Sequence, residues 1–192
     1  MNEKLNVALI YGSTREGRFC DTIADWIAAE ILRRGDFALD LVDPAKLDLP
    51  TRHQKLESEA LRALKARLMQ ADAFVIVTPE YNHGYPAVLK FLIDSVYSEW
   101  RAKPVAFVSY GGVSGGLRAV EQLRPVFAEL HAMTIRDCVS FANPWEQFDP
   151  SGALLNPERA MKSATLMLDQ LKWWGTALRA AREADESLQA AA

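Results

Sequence analysis

Along the chain, short apolar runs rich in β-branched residues alternate with longer stretches whose apolar positions recur with helical spacing. The runs predict strands over 5–11, 38–43, 73–78, 105–110 and 134–141. The longer stretches predict helices over 19–34, 57–70, 87–100, 116–130 and 157–183, the last opened by Pro157, which a first helical turn accepts because its missing N–H has no partner there. The first, third and fourth strands read VALIY, AFVIV and VAFVSY, unbroken apolar runs that belong in the middle of a sheet covered on both faces. This alternation predicts one α/β domain over 1–192, a three-layer sandwich around a doubly wound parallel sheet. The connection 142–156 holds two prolines and a glycine, is long, and reads as a surface excursion.

One helix is too apolar for a single buried stripe. Between 87 and 100 it carries Val88, Leu89, Phe91, Leu92, Ile93, Val96, Tyr97 and Trp100, so a second surface has to cover it. A homodimer, or a dimer of dimers, packing this helix against its mate is the expectation, with the tryptophan-bearing last helix as the intramolecular alternative.

Composition removes several classes. The 192 residues are 49% hydrophobic and 24% charged, the mixture of a folded globule. A net charge of −3 offers no field for a phosphate backbone, so no nucleic acid is expected. No run reaches the roughly 18–20 apolar residues that a bilayer demands, and 7–11 is too short for a signal segment, so a cytoplasmic protein away from membranes is expected. Cys20 and Cys138 stand far apart without His or Cys companions, which argues against a disulfide framework and against a metal site.

The chemistry-bearing residues lie where strands end. The first strand runs into Gly12-Ser13-Thr14-Arg15-Glu16-Gly17-Arg18 and then a helix, whose free N–H groups and partial positive charge suit an anion. Ser13 and Thr14 add hydroxyls, and Arg15 and Arg18 add charge. The spacing imitates a nucleotide-triphosphate loop, but Arg18 replaces its lysine and Phe19 its magnesium-binding hydroxyl; a dinucleotide fingerprint fails because Thr14 stands where a second glycine is needed. A mononucleotide phosphate fits what remains, with a solvent-facing turn as the plain alternative. The third strand leads into Thr78-Pro79-Glu80-Tyr81-Asn82-His83-Gly84-Tyr85-Pro86, a rigid, aromatic loop suited to a planar heterocycle, unless its tyrosines simply pack on neighbouring helices. The fourth leads into Gly111-Gly112-Val113-Ser114-Gly115-Gly116, where four glycines let the main chain approach a ligand or else relieve crowding at a helix start.

Taken together, Gly12-Ser13-x-Arg15-x-x-Arg18, Thr78-Pro79-Glu80-Tyr81-Asn82-x-x-Tyr85-Pro86 with Leu89-Lys90 and Asp94, and the glycine loop from Gly111 resemble the NADPH-dependent FMN reductases of the flavodoxin-like superfamily over about residues 5–130. The resemblance implies a flavodoxin-like fold with strand order 2-1-3-4-5. It implies that Ser13, Arg15 and Arg18, with amides near Phe19 and Cys20, bind the FMN phosphate. Pro79, Glu80, Tyr81 and Asn82 would line the isoalloxazine edge, with Tyr85 nearby and Gly111, Gly112 and Ser114 on the opposite side. Many members carry serine where this chain has Arg18, so the resemblance implies a guanidinium contact to the phosphate in place of a hydroxyl contact.

The activity implied is hydride transfer from NADPH (or NADH) through FMN to a small electron acceptor: free flavin, a quinone, an azo compound or a metal ion. Because the cofactor carries that chemistry, no acid–base residue is nominated, and His83 reads as a loop-surface histidine. Two rival readings are an electron-carrier flavodoxin without nicotinamide turnover and a regulatory protein that has kept the fold but lost activity. Modest acidity and the loop arginines stand against the carrier.

Overall fold

The computed structural model describes residues 4–50, 52 and 56–185; the two ends of the expected 1–192 domain lie outside the described residues. Five parallel strands form one sheet: β1 (Leu5–Tyr11), β2 (Phe37–Val42), β3 (Ala73–Pro79), β4 (Pro104–Gly111) and β5 (Met133–Ala142), in the order β2-β1-β3-β4-β5. This is the flavodoxin-like order expected from the sequence. The helices are α1 (Cys20–Arg34), α2 (Glu59–Gln70), α3 (Ala87–Asp94), α4 (Leu117–Glu129) and α5 (Pro157–Ala184).

The side-chain alternation of the strands makes three layers. Leu5, Val7, Leu9 and Tyr11 of β1 face a core closed by α1 and α5, with Ile23, Ile27 and Ile31 of α1 and Met167, Leu168 and Leu171 of α5 buried against them. Ala8 and Ile10 face the other way, into a core closed by α2, α3 and α4. Both faces of β1, β3 and β4 are thereby covered, which is why their sequences show no polar alternation. At the end of α1, Gly35 takes φ 75° and its N–H returns to the Leu32 carbonyl, stopping the helix.

Two expectations change. The helix predicted over 87–100 ends at Asp94: the Ser95 hydroxyl donates back to the Phe91 carbonyl, and a short 3-10 turn at Ser98–Trp100 follows. That break turns Val96 and Trp100 inward, and the Trp100 ring meets Phe74 at 4.7 Å and Phe127 at 5.3 Å edge-on. The chain's own core therefore covers much of the apolar excess that argued for a helix-mediated dimer. Connection 142–156 is also less loose than a surface excursion: Phe148 is buried against Phe19 and Phe141, tying this segment to the start of α1.

Candidate active site

The loops after β1, β3 and β4 emerge at the same sheet end because these strands are parallel neighbours, and β1 beside β3 is where the strand order reverses. In the first loop the Gly12 N–H donates to the Val77 carbonyl at 2.7 Å, and a Cβ on Gly12 would sit 2.6 Å from that oxygen. The loop is thus held against β3 at a distance that glycine alone permits. Ser13 is fully buried, whereas Thr14, Arg15, Glu16 and Gly17 are exposed. Phe19 occupies the N-cap position of α1 without a side-chain cap, so the first-turn N–H groups, including that of Cys20, are left to a ligand or water. The Cys20 thiol is buried, and burial pushes it up to about 11, so this residue offers the site its amide and not its sulfur.

In the second loop Tyr81 and Gly84 pair as a tight turn, with Asn82 and His83 both at positive φ, 50° and 68°. The Gln122 side-chain amide holds this turn through the His83 carbonyl at 2.9 Å. Tyr81 reaches back to the first loop: its hydroxyl lies 2.8 Å from Ser13 Oγ, and the Arg15 guanidinium stacks 3.7 Å above its ring. Pro79 is buried at the end of β3, Asn82 is exposed at the turn, and Tyr85 packs half-buried against the α2–α4 core.

The third loop is joined to the second through one carboxylate. Glu80 accepts from the Ser114 hydroxyl (2.7 Å), the Arg118 backbone N–H (3.1 Å) and the Arg118 guanidinium (2.8 Å). Burial alone would raise the Glu80 carboxyl; these donors overcome it and hold the group below the usual carboxylate range. Gly111 is buried, Gly112 is exposed, and Gly116 sits at φ 83° where a Cβ would lie 2.7 Å from the Tyr110 amide nitrogen. Behind the first loop, the buried Tyr110 hydroxyl has no hydrogen-bond partner among the described residues.

The expected site residues thus fall into two contact groups, Ser13–Arg15–Tyr81 and Glu80–Ser114, on neighbouring strands. Arg18 touches the first group only at the Ser13 main-chain carbonyl; the rest of its guanidinium turns to Asp21 and to Asp43 at the end of β2. Sequence reasoning passed over Asp43, Arg118 and Gln122. For Asp43 a signal existed, an acid closing a strand that neighbours β1; for the other two, helix periodicity gives none.

An uncapped α1 start, an exposed arginine beside it and loops whose close backbone approaches only glycine permits are features that fit a phosphorylated planar cofactor. The family model described as NADPH-dependent FMN reductase matches residues 5–146. The chain belongs to this family. FMN and NADPH, expected from the motifs, are the cofactor and reductant for which it is named. An NAD(P)H-dependent FMN reductase of Schizosaccharomyces pombe is 38% identical over 119 residues, covering 57% of this chain and 60% of that protein's length. A 2-hydroxy-1,4-benzoquinone reductase of Burkholderia sp. is 31% identical over 179 residues, 88% of this chain and 96% of the relative. Among solved structures, a flavoenzyme NAD(P)H:(acceptor) oxidoreductase from Paracoccus denitrificans superposes with a TM-score of 0.69 over 90% of this chain and 98% of its own, at 23% identity, a likeness of fold. No helix among the described residues is long and apolar enough to cross a membrane.

Proposed function

We propose that this chain is an FMN-dependent oxidoreductase that takes reducing equivalents from NADPH or NADH and passes them to a small quinone or flavin acceptor. The observation that carries the reading is the Ser13–Tyr81–Arg15 contact, which joins an open helix start to an aromatic loop across the switch point of the sheet. Family membership supports the cofactor, and the quinone reductases among the relatives support the acceptor class.

In this reading Ser13, Arg15 and the amides of Phe19 and Cys20 hold the FMN phosphate. The main chain of Pro79, Glu80, Tyr81 and Asn82 lines one edge of the ring, and Gly111, Gly112 and Ser114 line the other. Arg18 acts close to the phosphate, and Tyr85 supports the loop from the core side. FMN, when bound, supplies the hydride chemistry between nicotinamide and acceptor, so the residues bind, orient and keep the ring's pyrimidine edge supplied with N–H donors. Glu80 keeps its charge turned into Ser114 and Arg118, and because the Glu80 and Tyr81 N–H groups donate to the Tyr110 and Gly84 carbonyls, the glycine loop is the source of N–H donors toward the ring.

The protein is taken to work in the cytoplasm as a homodimer. Exposed Tyr97 after α3 supports an assembly surface there, on fewer side chains than the sequence pattern offered. The test is oxidation of NADPH followed at 340 nm with FMN and a benzoquinone. Rapid FMN-dependent turnover is the expected result; bound FMN that NADPH leaves oxidised would favour the carrier reading, which family membership disfavours. Light scattering on the same material is expected to give twice the chain mass.

A further inference from the structure

Arg18 is the most heavily engaged side chain at the candidate phosphate loop. Its side chain is 7% exposed and that of Asp43 is 4% exposed. The guanidinium meets Asp43 end-on, one terminal nitrogen to Oδ1 at 2.8 Å and the other to Oδ2 at 2.6 Å. From its side edge, Nε donates to Asp21 Oδ1 at 2.9 Å, and the adjacent terminal nitrogen lies 2.8 Å from the same oxygen. A further N–H, on the nitrogen that meets Oδ1, donates to the Ser13 carbonyl. A guanidinium has five N–H donors and no acceptor; four of those of Arg18 are in hydrogen bonds, and the edge that carries the fifth is ion-paired with Asp21. The group is committed to two carboxylates and the loop's own carbonyl. Arg15, by contrast, is exposed at the open side of the loop, stacked on Tyr81.

We propose that Asp43 is a positioning residue for the FMN phosphate, acting through Arg18, which anchors the loop from beneath at the Ser13 carbonyl and leaves Arg15 as the phosphate-binding cation. The inference rests on the FMN reading above. Its physical basis is that a buried bidentate pair fixes both distance and orientation, so the loop's backbone path is set before a ligand arrives. Asp43 is itself fixed, because it accepts from the Ala45 N–H at 3.0 Å where the chain leaves β2. Burial would raise the Asp43 carboxyl, and the Arg18 hydrogen bonds overcome that and hold it ionised below the usual range. Lys46, 3.8 Å away and exposed, is a minor neighbour.

The two possible roles of Arg18 give opposite signs in one experiment. Affinities of the full chain for FMN and for riboflavin, which lacks the phosphate, are measured by fluorescence titration for wild type, Asp43→Asn and Asp43→Glu. If Arg18 ligated the phosphate, removing its competing carboxylate would tighten FMN binding. With Asp43 as a positioning residue, Asp43→Asn weakens FMN about tenfold although it deletes a negative charge near the phosphate, while riboflavin changes less than about twofold. Asp43→Glu keeps the charge but moves it by a methylene, and is expected to weaken FMN in the same selective way; it reads the geometry even if the asparagine variant fails to fold. Unchanged or tighter FMN binding in the folded variants, or equal losses for both flavins, overturns the positioning role. A wild-type chain that binds FMN and riboflavin alike overturns the phosphate reading itself, and the positioning role falls with it.

Discussion

The hydroxyls of Ser13 and Tyr81 lie 2.8 Å apart and join two loops that are 68 residues apart in sequence. That contact and the Arg15 guanidinium on the same tyrosine ring close the gap between the loops after β1 and β3. Tyr81→Phe keeps the ring and its stacking but removes the hydroxyl. A neutral hydrogen bond contributes about 0.5–1.5 kcal/mol net, so FMN binding is expected to weaken by a factor of about 2 to 13. Tyr81→Ala, which also removes the platform for Arg15, is expected to weaken it further. Isothermal titration checks both.

Glu80 predicts a pH effect. Its carboxyl is held below the ordinary value of 4.5 when folded, despite burial, by Ser114 and Arg118. A folded value below the unfolded one means that the stabilisation is fully present above about 4.5 and is lost as pH falls through the folded value. Urea melts of wild type are therefore expected to lose stability on going from pH 5.5 to pH 3.5 (~ two units across the unfolded value). In Glu80→Gln that loss is smaller, because one contributor to the slope is gone. Equal slopes in the two proteins would rule the carboxylate out as a contributor.

Gly12 predicts a packing effect at the same loop. A Cβ there meets the Val77 carbonyl at 2.6 Å and the Thr78 Cα at 3.1 Å, both backbone atoms of β3 that cannot rotate away. Gly12→Ala has to push the first loop off β3, at a cost of about 1–3 kcal/mol, the range typical of overpacking. A melting temperature lower by several degrees and weakened FMN binding are expected together. An unchanged melting temperature would mean that the loop yields freely.

His83 predicts the opposite sign. It holds φ 68° next to Asn82 at φ 50°, a turn geometry that glycine takes without a Cβ penalty. His83→Gly relieves that strain, partly offset by the greater freedom of glycine in the unfolded chain, and is expected to stabilise by about 0.5–1 kcal/mol. Gln122 is retained as an anchor because it binds the backbone carbonyl and not the imidazole. Calorimetry should show a melting temperature a few degrees higher, and a lower one would show that the imidazole makes a stabilising contact.

The sequence made the strands and their roles readable because a fully covered strand has to be apolar at every position, and β1, β3 and β4 are. The loops that carry the candidate site were readable for a related reason: Gly12, Gly111 and Gly116 stand where a Cβ meets backbone, and local composition records that demand. The length of α3 was not readable. Apolar residues continue through Trp100, and the break at Ser95 shows itself only when Trp100 is seen filling the space between Phe74 and Phe127.

What the sequence determined by itself is thus the alternation of elements, the layers they form and the identity of the three loops, since periodicity and glycine placement are properties of neighbouring residues. What tertiary structure decided is which charges meet. Arg18 and Asp43 are 25 residues apart, and Glu80 and Arg118 are 38 apart. Their pairing follows from β2 lying beside β1 and β4 beside β3, a relation between strands that no local pattern encodes. It turns one arginine of the first loop into a brace, its guanidinium committed to Asp43, Asp21 and the Ser13 carbonyl, and leaves the other exposed.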